Sequence, residues 1–255
     1  MSKKLARKPL IEAIFELRWE LKDSKFGGAR DPNYQLLVGR FFDRVQPKYP
    51  YYQRMTPDLI PEEVLGGVIQ HRFKKGENQY PLIQLGAGVL TINSTEDYVW
   101  DDFKTTVLEV TRIFYDAYPR RDNLEINSLS LRYIDVVDVN FEEIGLYDFL
   151  QKKLKINLSL NESLFEETNL DPEPLALKLN LMFKCVKPKG FMSFNLFKGQ
   201  HNQKDAIIWD YAISSQGSDL PNLPQEAETW LDETHEVSHN WFFSLIEGDL
   251  LEGFK

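Results

Sequence analysis

The chain repeats one pattern of residues in its two halves, and this internal echo constrains the fold more than any other feature. Leu17-Arg18-Trp19 ends one stretch of alternating apolar residues, and Leu131-Arg132-Tyr133 ends another, half a chain later. Each triplet is followed by an amphipathic helix pattern, several strand-like segments and a longer, aromatic-rich helix pattern. Two copies of such a unit can share one sheet and bury a common core. The alternative, that the two triplets arose by chance, stays open at this point.

The stretch before each triplet is typical of a half-buried strand. In residues 10–21, apolar residues occupy every second position, and charged residues occupy most of the positions between them. Because successive side chains of a strand point to opposite faces, this period indicates an antiparallel sheet with one face against a core. Residues 127–139 show the same alternation, with Leu129, Leu131 and Tyr133 on one face.

The remaining segments complete a plan of helices and strands. Apolar residues at helical spacing predict four helices, at about 34–45, 95–118, 145–158 and 226–247. Shorter apolar runs predict further strands at 68–73, 80–85, 89–93, 175–186, 191–197 and 206–213. Gly86-Ala87-Gly88 is expected to break or bulge a strand that then continues.

The order of these elements predicts an α+β fold with a largely antiparallel sheet. Two tandem strand-helix-sheet-helix units, at 1–122 and 123–255, would pack as one globular body. Such a duplicated arrangement resembles that of the TATA-binding protein or the helix-grip fold, in which a curved sheet and a long helix enclose a groove. The analogy concerns the fold alone and implies no function.

The composition favours a protein of the cytoplasm. A formal net charge of −9 and a pI of about 5.1 give an acidic surface that repels phosphate, so nucleic acid is not an expected partner. No stretch approaches the roughly 20 apolar residues of a membrane span, and the N-terminus lacks the apolar region of a signal peptide. Cys185 cannot form an intramolecular disulfide, because it is the only cysteine, and its place in the apolar run 177–186 indicates a core residue.

Four segments together carry a resemblance to a known family. They are residues 9–19; residues 81–93 with Tyr98, Trp100 and Phe103; residues 131–135; and residues 231–233 with His235 and Phe243. In these segments the chain resembles a sporadically distributed family of uncharacterised prokaryotic proteins of about this length. The resemblance spans nearly the whole chain and carries over no activity or catalytic residue. Its patchy distribution implies only a setting on mobile or defence-associated loci.

Residues 235–239 read His-Glu-Val-Ser-His and match a zinc motif. In His-Glu-x-x-His, two histidines one helical turn apart hold the metal, and the glutamate is the general base. Catalytic zinc also needs a third protein ligand, and the extended motif would place a histidine where Leu245 stands. The surrounding helix is apolar nearly all round, which favours packing histidines. A zinc-dependent hydrolase using His235, Glu236 and His239 is therefore the alternative hypothesis, and no cofactor is predicted.

Arg18 and Arg132 form the main candidate for a binding site. If the halves are copies, both lie at equivalent places on the polar face of a strand. Arginines so placed can receive an anionic ligand or the carboxylate of a partner protein. Pairing with acidic neighbours on the strands is the simpler alternative. The aromatic residues that we add to this candidate site are Trp19, Tyr133 and Trp100.

These observations predict a non-enzymatic binding or interaction protein. Its sheet face or a helix groove would hold a protein partner or a small ligand, and a homo-oligomer is compatible with the same features. No catalytic residue is assigned, and the sequence does not identify the ligand.

Overall fold

Strands from both halves of the chain join in one large antiparallel sheet in the computed structural model, which describes residues 5–23, 28–57, 64–95 and 97–255. The strands are β1 (Leu10–Trp19), β2 (Lys22–Asp23), β3 (Ala29–Arg30), β4 (Tyr51–Arg54), β5 (His71–Lys74), β6 (Leu82–Gly86), β7 (Val89–Ser94), β8 (Ile126–Asp138), β9 (Lys178–Cys185), β10 (Gly190–His201) and β11 (Lys204–Gln216). Among the described residues, nine of these strands form the large sheet, and β2 and β3 form a separate pair.

The helices are α1 (Tyr34–Val45), α2 (Trp100–Ala117), α3 (Leu146–Leu154), α4 (Ala227–Leu245) and α5 (Asp249–Glu252). The first of them coincides with the predicted helix 34–45. The third is shorter than predicted, because Lys155 adopts a left-handed conformation with φ of 54° and ends the helix there. No helix within the described ranges is both long and apolar enough to cross a bilayer.

The first strand of each half lies at the centre of the sheet. The order is β4-β5-β6-β7-β1-β8-β11-β10-β9. β1 and β8 pair antiparallel, with Phe15 opposite Leu131, so the two predicted units are hydrogen-bonded across one sheet. Every other neighbouring pair in this sheet is also antiparallel. The prediction of mixed α and β structure around a largely antiparallel sheet is therefore confirmed.

The sheet has two unlike faces. On one of them, which we call the covered face, Phe15 and Leu131 are buried, and Phe15 meets Trp230 of α4 with ring centroids 6.4 Å apart. Every helix contributes at least one buried side chain to this core, including Leu37, Phe114, Leu150, Leu231 and Leu251. On the opposite, open face, Glu16 is half-buried and Arg132 is exposed. The alternation along β1 and β8 thus places most apolar side chains on the covered face and most polar side chains on the open face.

Gly86-Ala87-Gly88 is a hairpin turn, and the prediction that it interrupts one continuing strand is wrong. Gly86 pairs with Val89, so β6 and β7 run antiparallel on either side of the turn. Gly88 has φ of +83°, which glycine adopts without strain, and an added Cβ would lie 2.9 Å from Leu21. A positive φ in a two-residue loop reverses the chain direction, whereas a bulge would only have bent it.

The apolar run 177–186 forms an edge strand, and the prediction of a buried core residue at Cys185 is wrong. β9 is last in the strand order and pairs with β10 alone. Met182 is 71% exposed, and Cys185 is only partly buried. A strand with one neighbour at the end of a sheet keeps much of its side-chain surface in contact with solvent.

Candidate functional site

The sheet separates the residues of the predicted binding site. Arg18 and Arg132 lie on the open face, whereas the residues that follow them in the sequence, Trp19 and Tyr133, lie on the covered face. Neighbouring residues of a strand point in opposite directions, so no single surface holds all four. The predicted site therefore consists of two separate groups of residues, one on each face of the sheet.

The two arginines of the open face are paired with acidic neighbours and do not converge. Arg18 donates to Glu16 through Nε (2.7 Å) and Nη2 (3.0 Å). Arg132 binds Asp210 through Nε (3.1 Å) and Nη2 (3.0 Å). Arg132 is opposite Ile14, four residues along the strand from Arg18, which is about 13 Å at the usual rise. Both guanidinium groups thus have local partners, as the simpler alternative proposed.

Trp19 belongs to the core and not to a binding surface. Its side chain is buried against Phe114, with ring centroids 4.9 Å apart. Its Nε1 donates to Asp31 Oδ2 over 2.9 Å. The assignment of Trp19 to a ligand site is therefore not supported, because the ring is enclosed on every side.

Four of the other predicted site residues meet in one cavity of about 380 Å³. Tyr133, Trp100, His235 and His239 all contribute to its wall. The cavity lies where the segment before β1 passes α4 and the start of α2, on the covered face of β8. Residues that are far apart in the sequence therefore converge here.

A chain of hydrogen bonds crosses the cavity wall. The hydroxyl oxygens of Tyr98 and Tyr133 are 2.9 Å apart, and the Tyr133 hydroxyl is 3.0 Å from His235 Nδ1. The His235 ring stacks on Trp100, with centroids 3.9 Å apart and planes at 8°. Burial, and next the charge of His239, lowers the pKa of His235 to about 4, while Asp232 acts in the opposite direction. His235 is therefore neutral at pH 7.

Asp135 is the least expected group in the wall. It lies on β8 two residues beyond Tyr133 and is 1% exposed. Within the described part of the chain, its Oδ2 atom has no hydrogen-bond partner. Burial raises the pKa of its carboxyl well above the ordinary value of 3.8, so the neutral acid is favoured. Ser238 of α4 also lines the cavity with a buried, unpartnered hydroxyl.

Among the groups of this site that did not enter the predicted set are Tyr98, Asp135, Tyr211 and Ser238. A signal for Asp135 was present, because residues 129, 131, 133 and 135 share one face of the predicted strand. A carboxyl in that register falls among the apolar side chains, where an unpaired charge is costly. An acidic residue at an inward position is therefore a sequence feature that can indicate a site.

Within the part of the chain that the structure describes, the His-Glu-x-x-His match does not assemble a zinc site. His235 and His239 share the cavity wall, with ring centroids 5.9 Å apart. Glu236, the base of the motif, is exposed and does not line the cavity. In the described ranges, no group of three or more His, Cys, Asp and Glu side chains is arranged to hold a metal ion. The histidines instead pack against Trp100 and Phe243.

A second, larger cavity of about 890 Å³ lies beside α2. Its charged groups include Lys48 and Glu109, which are joined by a 2.6 Å ion pair. The smaller aromatic cavity is the stronger candidate for a ligand, because its wall holds two buried, unpartnered polar atoms, Asp135 Oδ2 and Ser238 Oγ. None of the described residues that line the larger cavity has such an atom.

Neither the comparison with protein-family models nor that with curated proteins finds a match for this chain. The geometry of the aromatic cavity is therefore the basis of the proposed function.

Proposed function

We propose that the protein binds a small organic molecule in the aromatic cavity and performs no chemical step on it. The observation that carries this proposal is the buried carboxyl of Asp135 in the cavity wall, whose Oδ2 has no hydrogen-bond partner among the described residues. About nine-tenths of buried polar groups in proteins have a hydrogen-bond partner. An unsatisfied one lowers stability by about 1–3 kcal/mol, and a ligand group that meets Asp135 would remove this penalty.

The size and the lining of the cavity support the same proposal. Small-molecule sites usually enclose about 300–1,000 Å³ and combine apolar walls with a few polar groups. The cavity, at about 380 Å³, is at the small end of this range. Its wall is dominated by aromatic side chains, with Asp135 and Ser238 as buried polar groups. This combination suits a compact ligand with one or two polar atoms.

The titratable groups favour binding over catalysis. A general base works best when its pKa lies near the working pH. The pKa of His235, near 4, makes it a weak base at pH 7. Burial raises the pKa of Tyr133 well above its ordinary value, so its hydroxyl keeps its proton. The hydrogen-bonded chain of Tyr98, Tyr133 and His235 therefore serves better to orient a ligand than to move protons.

We also propose that the two halves of the chain arose by duplication. The strand order supports it, since β7-β6-β5 follow β1 outward on one side and β11-β10-β9 follow β8 on the other. A chain that starts at Asn123 and returns through a linker from Lys255 to Leu5 reverses the order of the halves. This circular permutant is expected to fold, and failure to fold would argue against equivalent halves.

A thermal-shift screen with matched variants tests the binding function. A bound ligand at about 100 times its Kd should raise the Tm by about 5 °C or more. Ser238→Leu narrows the cavity and should abolish this shift. Glu236→Gln, on the same helix but outside the cavity, should keep it. The proposal fails if no compound of a diverse metabolite library shifts the wild type, or if every shift persists in Ser238→Leu.

A further inference from the structure

We infer that the ligand of the aromatic cavity is a small organic cation, an alkylammonium ion held by ring faces around Asp135. This inference rests on the proposed binding function and adds the chemical class of the ligand. It comes from two independent properties of the cavity wall. One is the arrangement of its aromatic rings, and the other is the burial of the Asp135 carboxyl group without an ion-pair partner among the described residues.

The rings of the wall lie close together at differing angles. The centroids of Tyr98 and Tyr133 are 5.8 Å apart with planes at 85°, and those of Tyr133 and Tyr211 are 5.6 Å apart. Trp100 lies beside them, stacked on His235. The face of an aromatic ring carries negative partial charge and attracts a cation within about 6 Å of its centroid. The aromatic side chains that line the cavity are Tyr98, Trp100, Tyr133, Tyr211, Phe242 and Phe243. Those ring faces that neighbouring rings do not cover offer a surface on which a substituted ammonium group can bind.

The buried carboxyl distinguishes among ligand charges. Among the described residues, neither Lys nor Arg forms an ion pair with Asp135. A cation beside Asp135 would favour its ionised form and supply the missing partner. An anionic ligand would instead oppose the ionisation of Asp135 and would be repelled by the negative partial charge of the ring faces. A neutral ligand could hydrogen-bond to the protonated acid and pack on the rings, but it would gain no attraction between a positive charge and the ring faces.

The other charges near the cavity are compatible with a cation. Lys8 lies at the wall, but its side chain is exposed and its Nζ donates to the Tyr98 carbonyl oxygen over 2.7 Å. Water screens such an exposed charge strongly. The whole chain carries a formal net charge of −9, which attracts cations from solution.

The experiment compares choline with 3,3-dimethylbutan-1-ol, its uncharged isostere, by isothermal titration calorimetry. In the wild type, choline should bind at least about tenfold more tightly than the isostere, since one favourable charge–ring or charge–carboxyl contact is worth about that factor. Asp135→Asn should reduce this preference about tenfold. Glu236→Gln removes one negative charge outside the cavity and should preserve the preference. Tetramethylammonium, a smaller cation, extends the comparison if the choline hydroxyethyl group is too large.

Trp100→Leu gives a second variant that does not alter the buried carboxyl. It removes one ring face and should weaken choline binding more than binding of the isostere. The inference is overturned if the isostere binds as tightly as choline, or if neither choline nor tetramethylammonium binds at millimolar concentration. If a neutral or anionic compound from the metabolite screen then binds in a Ser238-dependent way, the binding function stands and only the ligand class is wrong.

Discussion

Asp135 and Asp210 lie on neighbouring strands, nearly side by side, yet their side chains have opposite surroundings. Asp210 is opposite Ile134, and Asp135 is opposite Trp209, so one residue of register separates the two aspartates. Asp210 lies on the open face, 5% exposed, and accepts hydrogen bonds from Arg132 and from Asn195 (3.0 Å). Asp135 lies on the covered face, 1% exposed, and no partner for its Oδ2 exists among the described residues.

The contrast shows that burial alone does not give a carboxyl group its role. Asp210 is buried and paired, so its charge contributes to the cohesion of β8, β10 and β11. Asp135 is buried and unpaired, so it opposes folding in the ligand-free protein. A group that destabilises the fold and lines a cavity is best explained by binding, which trades stability for function.

The largest expected effect is on the paired aspartate. Asp210→Ala should lower the free energy of unfolding by about 3 kcal/mol, because it leaves Arg132 and Asn195 without their acceptor. The loss is at the low end for a broken buried pair, since the Arg132 side chain is 44% exposed. Urea denaturation at pH 7 measures it. Glu16→Ala, which breaks the more exposed pair with Arg18, should lose less than about 1 kcal/mol. If Asp210→Ala and Glu16→Ala lowered the free energy of unfolding equally, the buried pair would contribute no more than the exposed one.

The unpaired aspartate should respond with the opposite sign. Asp135→Leu should raise the free energy of unfolding at pH 7 by about 2 kcal/mol, because an apolar group of similar size replaces an unsatisfied one. Burial raises the pKa of the Asp135 carboxyl in the folded state. Above about pH 4, the unfolded chain therefore loses this proton while the folded protein keeps it. The free energy of unfolding of the wild type consequently falls as the pH rises. The gain of the variant should therefore grow with pH, as followed by urea denaturation. If Asp135→Leu is less stable than the wild type at every pH, Asp135 does not oppose folding and the contrast with Asp210 is wrong.

The smallest expected effect on stability concerns His235, which lies on α4 across the cavity from β8. Its folded pKa of about 4 lies below the ordinary 6.5, so the unfolded chain binds more protons between these values and stability falls as the pH is lowered through that window. His235→Asn should remove about 1 kcal/mol of the stability that the wild type loses between pH 7 and about pH 5.5.

A matched control for this prediction lies in the other half of the chain. Burial, and next the charge of Arg54, lowers the pKa of His71 to about 4 as well. His71→Asn should reduce the acid sensitivity similarly, but it should leave ligand binding intact because His71 does not line the cavity. If His235→Asn loses as much stability on acidification as the wild type, burial does not lower the pKa of His235 in the folded protein.

The sequence predicted much of this molecule wherever the information is local. Alternation over residues 10–21 and 127–139 determines which side chains of β1 and β8 face the core, because the period of a strand is a property of the backbone. Helical spacing predicted α1 to the residue. The sequence also indicated Tyr133 and Trp100 as binding-site residues and His235 as a ligand of the alternative zinc site, but it did not predict that the three line one cavity.

Only the tertiary structure decided the features that depend on a residue's neighbours in space. Trp19 and Trp100 are both aromatic residues of a candidate site, but Trp19 is enclosed by the core while Trp100 lines a cavity. Cys185 of β9 was expected to be a core residue, yet the place of β9 at the end of the strand order leaves it only partly buried. Periodicity determines the face on which a side chain lies. Whether that side chain meets a partner, a void or solvent depends on distant segments packed against it, and a one-residue step therefore separates the paired Asp210 from the unpaired Asp135.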